Sequence, residues 1–405
     1  MGERKRTGLV LTGGGARAAY QIGVLRGVAE ILAEAGENPA RNPYDIICGT
    51  SAGAINATAL ACHADNFGEG LDLVSGVWEN ITADQVYRAD SLGVLRTGVR
   101  WLSLLAFGWL LRHWKSDAPN SLLDNTPLVT LLNRMLNFPR LDAALLEGSL
   151  HALAVTASSY TAGRHITFYQ SEADIEPWVR SQRLAWKGQI GVEHLLASSA
   201  IPLIFPATPI FCEGRREFCG DGSMRQIAPI SPAIHLGADK VLVIGAGQLN
   251  EQIDQTPANA GYPTLAQIAG HAMSSIFLDS LAVDIERTER VNATLAVLTE
   301  EQRRRTPLRP IDMLIIAPSE RLDEMAARHV HSLPRPIKLL LGAIGATEAS
   351  GSALASYLLF ESGYTRELIA LGRADASARR ADVLAFFGME ERSEAPAPAS
   401  LAAGA

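Results

Sequence analysis

Short apolar runs alternate along the first part of the chain with longer stretches of helical periodicity, as an open α/β sheet with helices between its strands requires. Gly8–Thr12 is predicted as a strand, Ala18–Ala35 as a helix, and Asp45–Cys48 as a second strand that runs into a glycine-rich turn. Further runs of aliphatic and β-branched residues, His151–Ala157, His165–Gln170, Lys240–Gly245 and Ile311–Ala317, extend the predicted sheet to about residue 317. Between residues 59 and 148 the pattern is amphipathic and helical and predicts a cap over the sheet. There Thr126-Pro127 sets a capping hydroxyl before a proline at the first helical position. From Thr264 to about Leu298 a long helical stretch carries Ile268, Ile276, Phe277, Leu281 and Ile285. The organisation is therefore an α/β domain over residues 1–320, a C-terminal helical extension over 321–388, and a disordered tail over 389–405. Small residues in the extension (Gly342, Gly345, Ala346, Ala349, Gly351) suit close helix packing.

Composition narrows the function classes. With 405 residues, 47% hydrophobic and 20% charged, the chain has material for a large core and falls outside the disordered and disulfide-scaffold classes. A net charge of −7 gives no global cationic field, so no nucleic-acid partner is expected. Arg4, Lys5 and Arg6 precede an apolar run that ends at Leu11, which does not read as a signal peptide. The most apolar later stretch, Trp101–Leu111, is far shorter than the roughly 20 residues that span a bilayer, and no transmembrane helix is expected. Cys48, Cys62, Cys212 and Cys219 read as reduced thiols in a cytoplasmic protein, and no metal-ligand spacing accompanies them.

Three motifs carry candidate chemistry. Gly49-Thr50-Ser51-Ala52-Gly53 fits the nucleophile elbow, with a predicted strand before it and a small-residue helix, AGAINATALA, after it. Side chains at 49 and 53 would obstruct the sharp reversal that holds the serine. Gly13-Gly14-Gly15-Ala16-Arg17 follows the first strand and opens the first helix, so its amides can converge on an anion. One reading is a dinucleotide loop, which needs an acid at the end of the next strand, whereas Asp45 stands at its beginning. The other is an oxyanion hole for attack by Ser51. The third motif, Gly220-Asp221-Gly222, follows a predicted hairpin and is either a plain turn or the base for Ser51. A Ser, acid, His triad would draw on His235, His271, His329 or His331, none of which sits in a loop after a strand.

Together GGGARAAYQIGVL, GTSAG and DGS, in this order, resemble the patatin-like phospholipase family, particularly its bacterial branch. The resemblance spans residues 7 to about 320. It implies a three-layer α/β fold with a central, mostly parallel sheet and a Ser–Asp dyad. Ser51 would be the nucleophile and Asp221 the base, with Gly13, Gly14, Gly15 and Arg17 forming the oxyanion-hole region. Two positions depart from the family pattern: Ala18 stands where glycine is frequent, and Ser223 follows Asp-Gly and is placed to lower the basicity of Asp221. The segment Ala197–Pro206 also resembles a family stretch beside the active site, making Ile201 and Phe205 either pocket or ordinary core.

The implied activity is hydrolysis of phospholipid or lysophospholipid carboxylic esters, without a cofactor. Acyl transfer from the same acyl-enzyme and catalytically silent lipid binding are the alternatives. Leu92–Trp114, with Trp101, Trp109 and Trp114 among leucines and flanking arginines, suits either a bilayer interface or a buried cap helix. Peripheral contact with the inner membrane and a homodimer complete the expectations.

Overall fold

The structure, a computed structural model, describes residues 4–88, 121–212, 214–248, 264–343, 345–346 and 352–390. The expectations for Leu92–Trp114 and for the tail beyond residue 390 lie outside these residues. Among the described residues ten strands form one sheet, eight of them in the order β10-β9-β1-β2-β3-β4-β6-β5, with the hairpin β7-β8 joined to it through β3. The parallel half comprises β1 (Thr7–Leu11), β2 (Ile46–Thr50), β3 (Ala152–Ser159), β9 (Lys240–Ile244) and β10 (Asp312–Ile316). Burial of the first four is nearly continuous because helices cover both faces, whereas β10, at the edge of the sheet, is only partly buried. Alternation assigns the faces: Leu9, Leu11 and Ile47 pack on one side, and Val10, Ile46 and Cys48 on the other.

Beyond β3 the chain turns back as β4 (Arg164–Gln170), which is antiparallel to β3 and carries β6 (Arg183–Lys187) and β5 (Val179–Arg180) at its edge. The last two are too short and too polar to stand out in the sequence. The hairpin consists of β7 (Thr208–Cys212) and β8 (Arg215–Asp221). β8 pairs antiparallel with the end of β3, placing Asp221 opposite Ala157. β2 runs two residues beyond its predicted end because its ladder with β3 continues to Thr50 opposite Thr156. At the cap helix Thr126–Met135, Asn125 holds the N-cap position, and the Thr126 hydroxyl donates to Asp124 instead of capping.

α1 (Ala19–Glu34) follows β1, and α2 (Ala52–Ala61) follows β2. Helix Ser362–Ala378 of the C-terminal extension lies on α1 at backbone distance. A Cβ on Gly372 would sit 2.2 Å from the Tyr20 carbonyl oxygen, and one on Gly23 would sit 2.1 Å from that of Ile369. Among the described residues the closest helix packing thus uses Gly23 of α1 and Gly372, while Ala349 and Gly351 of the small-residue group lie outside them. Among the described residues one helical stretch, Ala266–Ala296, has the length and apolar composition to cross a membrane. Here it serves as a sheet-covering helix: Phe277, Leu281 and Ile285 are buried, and the Asp284 carboxylate accepts the Ile230 amide at 2.9 Å. All four cysteines are buried free thiols.

Candidate active site

The strand-to-helix reversal at β2–α2 forces Ser51 to φ 55 and ψ −132, a conformation few non-glycine residues adopt. The reversal is tight enough that a Cβ on Gly49 would come within 2.4 Å of the Gly53 carbonyl oxygen. One on Gly53 would come equally close to the carbonyl oxygen of Leu11 at the end of β1. The elbow is therefore pressed against the strand that leads into the glycine loop. Ser198, on helix Val192–Ser198, accepts the Ser51 amide at 2.8 Å and fixes the turn from a third direction.

Asp221 ends β8, and the β3–β8 pairing carries it to the C-terminal edge of the parallel strands, where Ser51 lies. The Ser51 hydroxyl donates to Asp221 Oδ2 at 2.6 Å, and both residues are at most 1% exposed. The other carboxylate oxygen accepts the Ser223 amide at 2.9 Å. Burial pushes the Asp221 carboxyl up to about 6, with the bonds from Ser51 and Ser223 working in the opposite direction. The Ser223 hydroxyl is buried without a well-formed hydrogen bond, yet it lies close enough to the carboxyl to favour the charged form.

The glycine loop lies beside this pair. A Cβ on Gly13 would sit 2.4 Å from Ser223 Oγ and 2.9 Å from the Phe277 ring. Phe277 reaches it from a π-helical turn, Ser275–Asp279, in the sheet-covering helix. Gly15 has φ +55, and a side chain there would strike the Tyr357 carbonyl oxygen. The backbone amides of Gly13, Gly14 and Gly15 have no hydrogen-bond acceptor among the described residues. The approach to the loop is fixed by a buried polar chain in which Trp78 donates to Asn56, Asn56 to Gln21, and Gln21 to the Thr12 carbonyl at 2.7 Å.

Arg17 points elsewhere. Its Nε donates to Ser356 Oγ at 2.8 Å, and its guanidinium lies 4.2 Å from the centre of the Tyr357 ring, on the C-terminal helix Ser352–Leu358. It lines a separate hollow with Arg321 and Asp323. Of the four residues placed in the loop region, Gly15 lines the cleft with Ser51, Gly13 packs on Ser223, Gly14 packs on Ala246, and Arg17 ties the loop to the C-terminal extension.

Ser51 opens into a narrow apolar cleft of about 40 Å³ bounded by Trp78, Leu131, Met135, Ile201, Phe205 and Phe360. Two roomier hollows, of about 370 and 480 Å³, lie away from the dyad. No described histidine bonds to Ser51 or Asp221. His235 stacks on Trp178 at 4.7 Å, His329 bonds to Glu367 at 2.6 Å, His331 bonds to the Arg328 carbonyl, and His271 is exposed. The described residues contain no group of three or more potential metal ligands. Sequence reasoning missed Ser198, Phe360 and the pair Gln21 and Asn56. The last two had a signal, as isolated amides in otherwise apolar helix segments.

Comparison with known proteins adds a family assignment to this geometry. No curated protein matches the chain. Among solved structures, VipD from Legionella pneumophila is 14% identical over 90% of this chain and 67% of its own, with a TM-score of 0.30. The type III effector protein ExoU is 14% identical over 87% of this chain and 77% of its own, with a TM-score of 0.26. Likeness at that level adds nothing to the argument. The family model described as patatin-like phospholipase matches residues 9–234, which is more than half of the chain and includes the glycine loop, the elbow and Asp221. The chain belongs to the patatin-like phospholipase family.

Proposed function

We propose that the protein is a serine acyl hydrolase that cleaves carboxylic esters of phospholipids or lysophospholipids. The observation that carries this reading is the 2.6 Å bond between Ser51 Oγ, in the wall of an apolar cleft, and the buried Asp221 carboxylate. A carboxyl raised to about 6 is ionised at neutral pH and is more basic than an ordinary aspartate. As Ser51 Oγ attacks the ester carbonyl, its proton passes to Asp221 Oδ2. The negative oxygen of the tetrahedral intermediate is held by the free amides of Gly13–Gly15. Collapse expels the alcohol, which takes the proton back from Asp221 and leaves an acyl-Ser51 ester. Water activated by the same carboxylate then releases the fatty acid and restores the serine. The scheme uses neither histidine nor cofactor, and the apolar lining of the narrow cleft suits the carbons next to the ester carbonyl.

The test measures fatty-acid release from mixed phospholipid and lysophospholipid vesicles by the parent, Ser51→Ala, Asp221→Asn and a variant with His235, His271, His329 and His331 replaced. Folding of each is checked first. Loss in the first two variants with survival in the last is the expected result. Turnover that survives Ser51→Ala, or none in the parent, would overturn the assignment. Adding an acceptor alcohol separates hydrolysis from acyl transfer, because only transfer yields a new ester.

A further inference from the structure

On the sheet face opposite α1 and α2 lies a hollow of about 480 Å³ that the dyad does not use. Its walls come from four places in the chain. Arg180 and Arg183 belong to β5 and β6, His235 ends the short helix Ser231–His235, Arg287 lies on the sheet-covering helix, and Arg309 precedes β10. Arg309 is committed to the fold, pairing with Asp239 at 3.2 Å and donating to the Ile234 and Ala238 carbonyls. Arg180 donates only to the adjacent Val179 carbonyl, and the side chains of Arg183 and Arg287 have no hydrogen-bond or ion-pair partner among the described residues. Among the described residues the one carboxylate in the wall, Asp284, is buried and occupied by the Ile230 amide.

Three guanidinium groups against one carboxylate leave a surplus of two positive charges around a concave space, with Arg183 half-buried and Arg180 and Arg287 exposed. The strain registers on the neighbours. Burial, then Arg287 and Arg180, pull the Arg183 pKa down despite Asp284. Burial followed by Arg180, Arg183 and Arg309 pushes His235 down to about 4, so at neutral pH it is an uncharged ring in the wall. Surface arginines ordinarily spread apart or find carboxylates. Here separate elements hold them around one hollow, and a counter-charge would relieve the repulsion.

We propose that this hollow is a binding site for a doubly charged phosphate group, carried as a phosphomonoester or diphosphate. Guanidinium forks match tetrahedral phosphate oxygens in pairs, and a dianion balances the surplus of two. Ile234, Val291 and Leu308 in the same wall give the site room for a small apolar body attached to the phosphate. The proposal is independent of the assignment of Ser51 and Asp221.

Calorimetry with inorganic pyrophosphate tests for a soluble ligand, and co-sedimentation with phosphatidylcholine vesicles with and without phosphatidic acid tests for a lipid headgroup. The vesicle arm uses full-length Ser51→Ala protein so that turnover cannot alter the lipid. In each arm the double variant Arg183→Gln/Arg287→Gln is compared, with Arg180→Gln as a second probe. Without any anion the double variant should melt at or above the parent, because like charges have been removed. Pyrophosphate binding that weakens about tenfold in Arg180→Gln and about a hundredfold in the double variant would support a soluble phosphate ligand. No pyrophosphate binding, together with phosphatidic-acid-dependent sedimentation that the variants lose, would support the headgroup. If neither probe binds, or the variants bind as the parent does, the proposal fails.

Discussion

Replacing Asp221 with asparagine separates the cost of a buried charge from its use. The fully buried Asp221 carboxyl sits at about 6, against an ordinary 3.8, because desolvation outweighs the bonds from Ser51 and Ser223. At about 1.4 kcal/mol for each tenfold change in acidity, the ionised form is disfavoured in the folded protein by about 3 kcal/mol. The folded-state pKa lies above the unfolded one. The stability linked to this group is therefore complete below about pH 3.8, declines as pH rises towards 6, and is lost above it. Asparagine is nearly the same shape and keeps an oxygen for the Ser223 amide, but it cannot ionise. Asp221→Asn should therefore remove turnover and at pH 7.5 be more stable than the parent by about 1–3 kcal/mol, the upper figure being the full linkage term. Near pH 4 the difference should vanish. Urea midpoints of both proteins across pH 4 to 7.5 provide the assay. Parallel pH profiles, or a variant less stable than the parent at pH 7.5, would refute the argument that burial of this carboxylate costs stability.

On the proposed mechanism kcat/KM falls about tenfold per pH unit below about 6, as Asp221 takes up its proton. Ser223→Ala keeps the backbone bond but removes a hydroxyl that favours the charged form, so the acid limb of its pH–rate profile should move to higher pH. Gly372→Ala would place a methyl 2.2 Å from the Tyr20 carbonyl oxygen and should cost about 3 kcal/mol or more, read from chemical denaturation. Gly76→Ala, exposed in helix Phe67–Glu79 with nothing within 4 Å, should instead stabilise by about 0.5–1 kcal/mol.

The site was more legible in the sequence than its surroundings were. Gly49, Ser51 and Gly53 announce themselves because a sharp strand-to-helix reversal leaves few alternatives for residue size, and β2 and α2 flank them where the hydrophobic pattern puts them. Asp221 is brought to Ser51 by the pairing of β8 with the end of β3, a contact across 170 residues of chain that no local pattern encodes. Its pairing with Ser51 was implied by family resemblance rather than periodicity. β5 and β6 escaped notice because edge strands this short and polar have no clear period. Ser198 was hidden for another reason: a serine that accepts a distant amide has the same sequence appearance as any helix-end serine. Gly23 and Gly372 illustrate the same limit in packing, since small residues show that close approach is possible without naming the partner.

The role of Arg17 turns on direction. A cation in a glycine loop beside a nucleophile suggests added positive charge for the oxyanion, yet this guanidinium is 4% exposed and directed at Ser356 Oγ and the face of Tyr357. Asp323, whose carboxyl is held below the ordinary range chiefly by Arg321 and also by Arg17, lines the hollow on that side. The charge is thus engaged away from the cleft. What the arginine supplies is a tie between the loop and helix Ser352–Leu358, at the place where the Tyr357 carbonyl also packs on Gly15. Lysine retains the charge but lacks the planar fork and its stacking, whereas methionine retains most of the stem without charge. If Arg17 acted through charge, Arg17→Lys would keep kcat and Arg17→Met would lose it. Acting as a tie, both should lower kcat by about 10- to 100-fold, the effect of displacing the proposed oxyanion donors by an ångström or so. KM should change little, because Arg17 lines no part of the cleft. Near-parental kcat in Arg17→Lys would return the residue to the oxyanion. Equal loss in both variants would make the C-terminal extension part of the catalytic unit, since the loop's geometry would then depend on a helix more than 330 residues further along the chain.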